Sequence, residues 1–164
     1  MNEAIRRRPL TVRRVNPEAF RPYGQVIFAG EDGKLFDETD AQLNLCGGTP
    51  RFYIMRLFDR GRCFHEITRH VKCTQCLGSL DGRGWAIAVA PPSQDDRPNL
   101  DKLAAFWVPG NCFIKLEVGT WHAGPYFEAD SIDFYNLELS DTNLVDRFTY
   151  DFHRDGLEFE IVVR

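Results

Sequence analysis

The stretch Trp85-Ala-Ile-Ala-Val-Ala90, closed by Pro91-Pro92, limits the fold of this chain more than any other. Six consecutive apolar residues give a strand two faces that both need cover, so it belongs inside a layered structure and not at an edge. The two prolines end it, because neither carries the N–H that a ladder requires. Residues 52–58, 63–70 and 74–80 before it, and 132–139, 148–152 and 157–163 after it, also read as strands, separated by glycine or charged turns such as Asp81-Gly82. Residues 10–15 alternate, and 25–29 form a further extended run. So many short strands predict a sandwich or a closed barrel.

Helices are few. Asn16-Pro17-Glu18 combines a capping side chain, a first-turn proline and an acidic residue at the positive dipole end, and only a short helix fits before Pro22. Asn99 as a cap, with Leu100, Leu103, Ala104 and Trp107 at helical spacing, predicts a second helix ending at Pro109-Gly110. Residues 6–8 form a basic run expected to be a solvated or frayed terminus, and 30–50 reads as a long surface loop.

A length of 164 residues suits one domain, 1–164, with a substantial core. The formal charge of -4 provides no positive field for nucleic acid or an acidic membrane. No secretory segment and no apolar run of spanning length occur, and the five cysteines are an odd, scattered set; the expectation is a soluble, cytoplasmic protein with reduced thiols. Cys73 and Cys76 have the spacing of a zinc half-site or redox pair, but no second pair completes it, and in a strand these positions face opposite sides.

The segment Gly119-Thr-Trp-His-Ala-Gly-Pro125 follows a strand-like run at 112–118 and presents a histidine beside an aromatic wall, before glycine and proline stop regular structure. Imidazole ligates metals and moves protons near neutral pH, which makes His122 a candidate for a small-molecule site. The competing reading makes Trp121 core and His122 a satisfied polar group. His70, upstream, favours the first.

Arg69-His70-x4-Gln75, Ala90-Pro-Pro, Pro98-Asn-Leu-x2-Leu-x2-Phe106, Gly119-Thr-Trp-His122 and Asp133-Phe134 together resemble the ureidoglycolate lyase family, as does Leu10-x5-Asn-Pro-Glu-Ala-Phe20. The resemblance implies a mainly β chain, a cupin-like antiparallel β-barrel (double-stranded β-helix) with one or two short helices. It also implies a homodimer that cleaves (S)-ureidoglycolate to glyoxylate and urea in allantoin and purine degradation. Four positions depart from the family pattern: Thr68 stands for Glu, Val71 for Pro, Gly124 is inserted before Pro125, and Lys115 replaces a smaller polar residue.

Ureidoglycolate is a carbinolamide, so its cleavage needs a base for the hydroxyl, a proton for the departing nitrogen and an anchor for the carboxylate. His70, His122 and Glu66 are the candidate catalytic groups. Strand alternation over 63–70 puts Glu66, Thr68 and His70 on one face and Arg69 on the other. Gln75, Lys115 and Trp121 are the candidate substrate-binding residues, Lys115 or Arg69 as the carboxylate anchor. A divalent metal (nickel, manganese or zinc) would fall to His70, Gln75 and His122, a poorer set than the His-x-His-x4-Glu and later His of metal-binding cupins. His65 and His153 match no motif and read as surface histidines. The alternatives are a cupin enzyme for another small hydroxy or ureido acid, and a catalytically silent ligand-binding cupin.

Overall fold

The computed structural model describes residues 4–164. In chain order its elements are β1 (Arg6–Arg14), α1 (Pro17–Phe20), β2 (Gly24–Phe28), β3 (Pro50–Phe58), β4 (Cys63–Phe64), β5 (Glu66–Arg69), β6 (Gln75–Ser79), β7 (Trp85–Ala90), β8 (Ala104–Val108), β9 (Cys112–Leu116), β10 (Trp121–Tyr126), β11 (Ser131–Leu139), α2 (Thr142–Val145), β12 (Phe148–Asp151) and β13 (Leu157–Val162). One sheet has the order β12-β5-β10-β7-β8-β1-β13-β4 and the other β2-β9-β6-β11-β3. All ladders are antiparallel except those of β1, which runs parallel to β13 and then to β8. The chain is mainly β, with curled sheets that form the cupin-like half-barrel.

Strand β7 lies within the larger sheet and is buried along its whole length. Trp85, Ile87 and Val89 enter a core shared with Leu77 of β6, Ile114 of β9 and Phe134 of β11, so this core lies between the two sheets. Ala86, Ala88 and Ala90 enter a second core with Trp121, Phe152 and Phe159 on the opposite face. The larger sheet curls over that second core: only His65 separates β4, at one end of the strand order, from β5, near the other.

Several expectations change. The helix expected at 99–107 is a single 3-10 turn, Leu100–Lys102, followed by β8. Asn99 caps as expected, its Oδ1 accepting from Asp101 N at 3.0 Å. Phe106 and Val108 are then wholly buried in the inter-sheet core. Each such burial contributes about 1.5–3 kcal/mol, against a few tenths for helix propensity, so tertiary pairing decides the segment. The basic run at 6–8 is the start of β1, paired in register with Leu157 to Phe159. The strand expected over 63–70 breaks at His65. By contrast, Asn16 Oδ1 caps α1 through Ala19 N at 2.9 Å, and 30–50 contains no strand before Pro50.

The Gly124-Pro125 pair does not stop β10, which begins at Trp121 and runs to Tyr126 with a register shift after Ala123. Such a bulge is where a strand tolerates proline. Gly124 has φ of 121°, and a Cβ there would lie 3.1 Å from the Tyr126 ring and 3.2 Å from the Ala86 carbonyl oxygen. The inserted residue therefore has to be glycine.

Candidate active site

The inner faces of the two sheets are apolar at one end and polar at the other. Along β11 the inward residues run Ile132, Phe134, Asn136, Glu138, all buried. Where the apolar pair gives way to the polar pair, the core gives way to a cavity of about 480 Å³. His70, Gln75, His122, Asn136, Glu138, Tyr53 and Thr68 line it, with Glu66, His65, Arg60 and Arg147 among the residues around it.

The two imidazoles meet there, their ring centroids 5.1 Å apart and their planes tilted by 53°. His70 follows β5 and is held from three directions. Its Nδ1 lies 2.5 Å from the Asp146 carbonyl oxygen, and its own carbonyl accepts from Gly119 N at 2.7 Å. The Asp146 carboxylate accepts from Val71 N at 2.8 Å and Lys72 N at 2.9 Å, clasping the turn beyond β5. Val71 thus supplies an N–H that a proline at this position would lack. His122 Nδ1 lies 3.3 Å from the Thr120 carbonyl oxygen. A carbonyl only accepts, so in both rings Nδ1 is the donor in these contacts and Nε2 is the nitrogen they leave free.

Burial pushes the His122 pKa down to about 3, with the nearby His70 and Arg147 adding to the effect electrostatically and the Thr120 carbonyl opposing it. Its cross-strand neighbours are Val89 and Thr68. A carboxylate at 68 would favour the imidazolium; here Thr68 Oγ1 instead pairs with Thr149 Oγ1 at 3.0 Å.

Gln75 Nε2 donates to Asn136 Oδ1 at 2.9 Å and to Glu138 Oε2 at 3.4 Å. Asn136 Nδ2 donates to the Tyr53 hydroxyl at 3.1 Å, and that hydroxyl donates to Glu138 Oε1 at 3.2 Å. Gln75 Oε1, by contrast, is buried without a partner. Gln75 lines the cavity, and this oxygen is the acceptor of the hydrogen-bond chain with hydrogen-bonding capacity left.

The structure separates the other expected residues. Glu66 lies at the cavity's exposed rim. Arg69 points away, donating to the Ser93 and Asp95 carbonyls at 3.0 Å and to Asp96 Oδ1 at 2.9 Å, with its guanidinium 4.4 Å from the Trp121 ring. Trp121 is not part of the cavity wall: it packs in the second core and donates to Ser93 Oγ at 2.9 Å. Lys115 is also outside. It pairs in register with Cys76, one residue from the inward-facing Gln75, and so occupies the outer face of the smaller sheet. There Lys115 Nζ donates to Glu117 Oε2 at 2.6 Å, while its other cross-strand neighbour, Gln25, fastens the loop of 30–50 by donating to the Glu38 and Asp40 carbonyls. The cations placed to meet an anion are Arg147 and Arg60, at the mouth.

A metal on His70, Gln75 and His122 fits these residues poorly. They offer two imidazole nitrogens and one neutral amide oxygen with no carboxylate joining them, a weak set for divalent transition ions. Among the described residues, the grouping of three His, Cys, Asp or Glu donors is a different one, His65, Asp151 and His153. The chemistry within reach of His70 and His122 is proton transfer between these imidazoles and a bound polar ligand.

A sequence model of ureidoglycolate lyase matches residues 7–151. The chain belongs to the ureidoglycolate lyase family. The match spans the elements from β1 to β12, including both histidines and the polar end of β11. No curated protein matches the sequence. The cavity residues that sequence reasoning missed are Glu138, Asn136 and Tyr53. Asn136 and Glu138 stand two and four positions beyond Phe134, on the same face at the strand's period of two, and that spacing could have found them.

Proposed function

We propose that this chain is a ureidoglycolate lyase, cleaving (S)-ureidoglycolate to glyoxylate and urea in the breakdown of allantoin and purines. The observation that carries the reading is the His70–His122 pair in a cavity whose wall includes Gln75, the residue with an unpaired side-chain oxygen, Oε1. A ureido group supplies the N–H donors this oxygen lacks. The carboxylate enters against Arg147, which offsets the positive charge that disfavours a proton on His122 and so raises its basicity. An Nε2 lone pair takes the hydroxyl proton; the oxygen's electrons form the aldehyde carbonyl and the carbon–nitrogen pair leaves with nitrogen. The second proton movement, from imidazolium to that nitrogen, releases urea. Protons and electrons balance without a co-reactant.

The test is incubation of purified protein with (S)-ureidoglycolate and detection of both products. His122→Asn lowers turnover by about a hundredfold to ten-thousandfold if it carries a proton. Binding without glyoxylate release would make the chain a ligand-binding cupin, and turnover of another hydroxy or ureido acid alone would reassign the substrate.

We also propose a homodimer through β3. This strand ends the smaller sheet's order, and Phe52, Ile54 and Phe58 are 71%, 63% and 66% exposed on it. An unpaired edge beside exposed apolar side chains is an association surface.

A further inference from the structure

Two histidines that the chemistry above does not use stand together at the cavity's mouth. His65 and His153 stack with centroids 3.9 Å apart and planes within 9°. Asp151, at the end of β12, lies beside both: its Oδ1 is 3.0 Å from His65 Nδ1 and 3.9 Å from His153 Nδ1. One donor atom from each of the three residues lies within 4.8 Å of the others. All three side chains are partly exposed, so an ion can reach them.

The backbone brings these donors together independently of any ligand. His65 is the residue that breaks β4 from β5, and its carbonyl accepts from Phe152 N at 2.7 Å. Asp151 ends β12 and its Oδ1 accepts from His153 N at 2.9 Å, capping the turn that carries His153. Asp151 is also directly opposite Glu66 in the β12–β5 ladder. Two carboxylates facing each other across a ladder repel, and a cation between them relieves that repulsion.

We propose that His65, Asp151 and His153 bind one divalent transition-metal ion, clasping the β4–β5 junction to the end of β12 at the mouth of the cavity. Two imidazoles and one carboxylate select ions of the zinc, nickel and cobalt class over calcium and magnesium, which prefer all-oxygen shells. A ligating imidazole holds its metal in the ring plane, so binding turns the two stacked rings out of parallel and replaces the His65 to Asp151 hydrogen bond with two metal bonds. The site is separate from His70 and His122 and stands or falls independently of the lyase reading.

The test is calorimetric titration of zinc chloride into the full chain, with visible absorption of added cobalt(II) as a second readout. One ion per chain is expected, without comparable binding of calcium or magnesium. His153→Ala and Asp151→Asn should each weaken zinc binding by at least about tenfold, the loss typical even of residues behind a metal's direct ligands. Asparagine keeps the oxygen that caps the turn, and circular dichroism checks both folds. His122→Asn and Cys63→Ser should leave the affinity unchanged. No zinc binding, or binding that survives both ligand changes, overturns the proposal; so does binding lost in Cys63→Ser or His122→Asn, which would move the ion to the thiol or to the inner imidazoles.

Discussion

Replacing His122 with asparagine should make the protein less sensitive to acid. The ordinary imidazole value is 6.5 and the folded value is about 3. Above the upper value both folded and unfolded chains hold a neutral ring, and the residue contributes nothing to pH dependence. Between the two, the unfolded chain takes up a proton that the folded chain refuses, so stability falls as pH falls. At about pH 5 the gap is roughly 1.5 pH units at about 1.36 kcal/mol each, or about 2 kcal/mol. The ring is partly open to the cavity, and screening holds the effect at or below that figure. Urea unfolding near pH 7.5 and near pH 5 measures it. With a slope of about 2 kcal/mol per molar, the wild-type midpoint should drop by about 1 M more than that of His122→Asn. Carboxylates such as Asp151 and Asp133, held below their usual range by His65 and Arg56, lose stability at lower pH in both proteins and cancel in the difference. Equal pH dependence in the two proteins would refute the neutral, desolvated His122 on which the proton-transfer chemistry rests.

Val71→Pro restores the family residue but removes the N–H that reaches Asp146 Oδ1, and should cost about 1–3 kcal/mol in chemical unfolding because a buried carboxylate oxygen loses its donor. Trp121→Phe should cost about 0.5–1.5 kcal/mol through the lost bond to Ser93 Oγ while leaving kcat/KM near wild type; a selective rise in KM would return Trp121 to the binding site. Gln75→Leu should raise KM for a ureido substrate with the fold retained, since it removes the open acceptor and fills the space with methyls. Ile54→Glu should convert dimer to monomer in light scattering at micromolar concentration, and an unchanged mass would remove β3 as the interface.

Most of the barrel was legible because strands announce themselves through bounded apolar runs, and β7, apolar on both faces, already required cover on each side. The segment at 99–107 was misread for a definable reason. Leu100, Leu103, Ala104 and Trp107 fit a helical stripe, but Ala104 to Val108 is equally a continuous apolar run, and a short run carries no period that separates the two. What decides it is the slot between β7 and β1, which no local pattern contains. The same holds for residues 6–8, whose partner, β13, arrives more than a hundred residues later.

The site was legible by residue type and only partly by face. Counting alternate positions through 66, 68 and 70 puts three residues on one side of β5, and all three do line the cavity. Lys115 shows what counting within one strand omits: its face is fixed by the neighbour it pairs with, and Cys76 lies on the side away from Gln75. Glu138 was missed for the opposite reason, since a charged residue near a strand end reads as solvated unless its face has been followed from Phe134. Followed that way, the change from Phe134 to Asn136 marks where the core stops and the cavity begins. A side chain only 1% exposed at the next inward position, Glu138, must then be stabilised by donors from other elements. Tyr53, Gln75 and Asn143 are those donors, and because Gln75 spends its amide N–H groups on Asn136 and Glu138, its oxygen is the atom left without a partner.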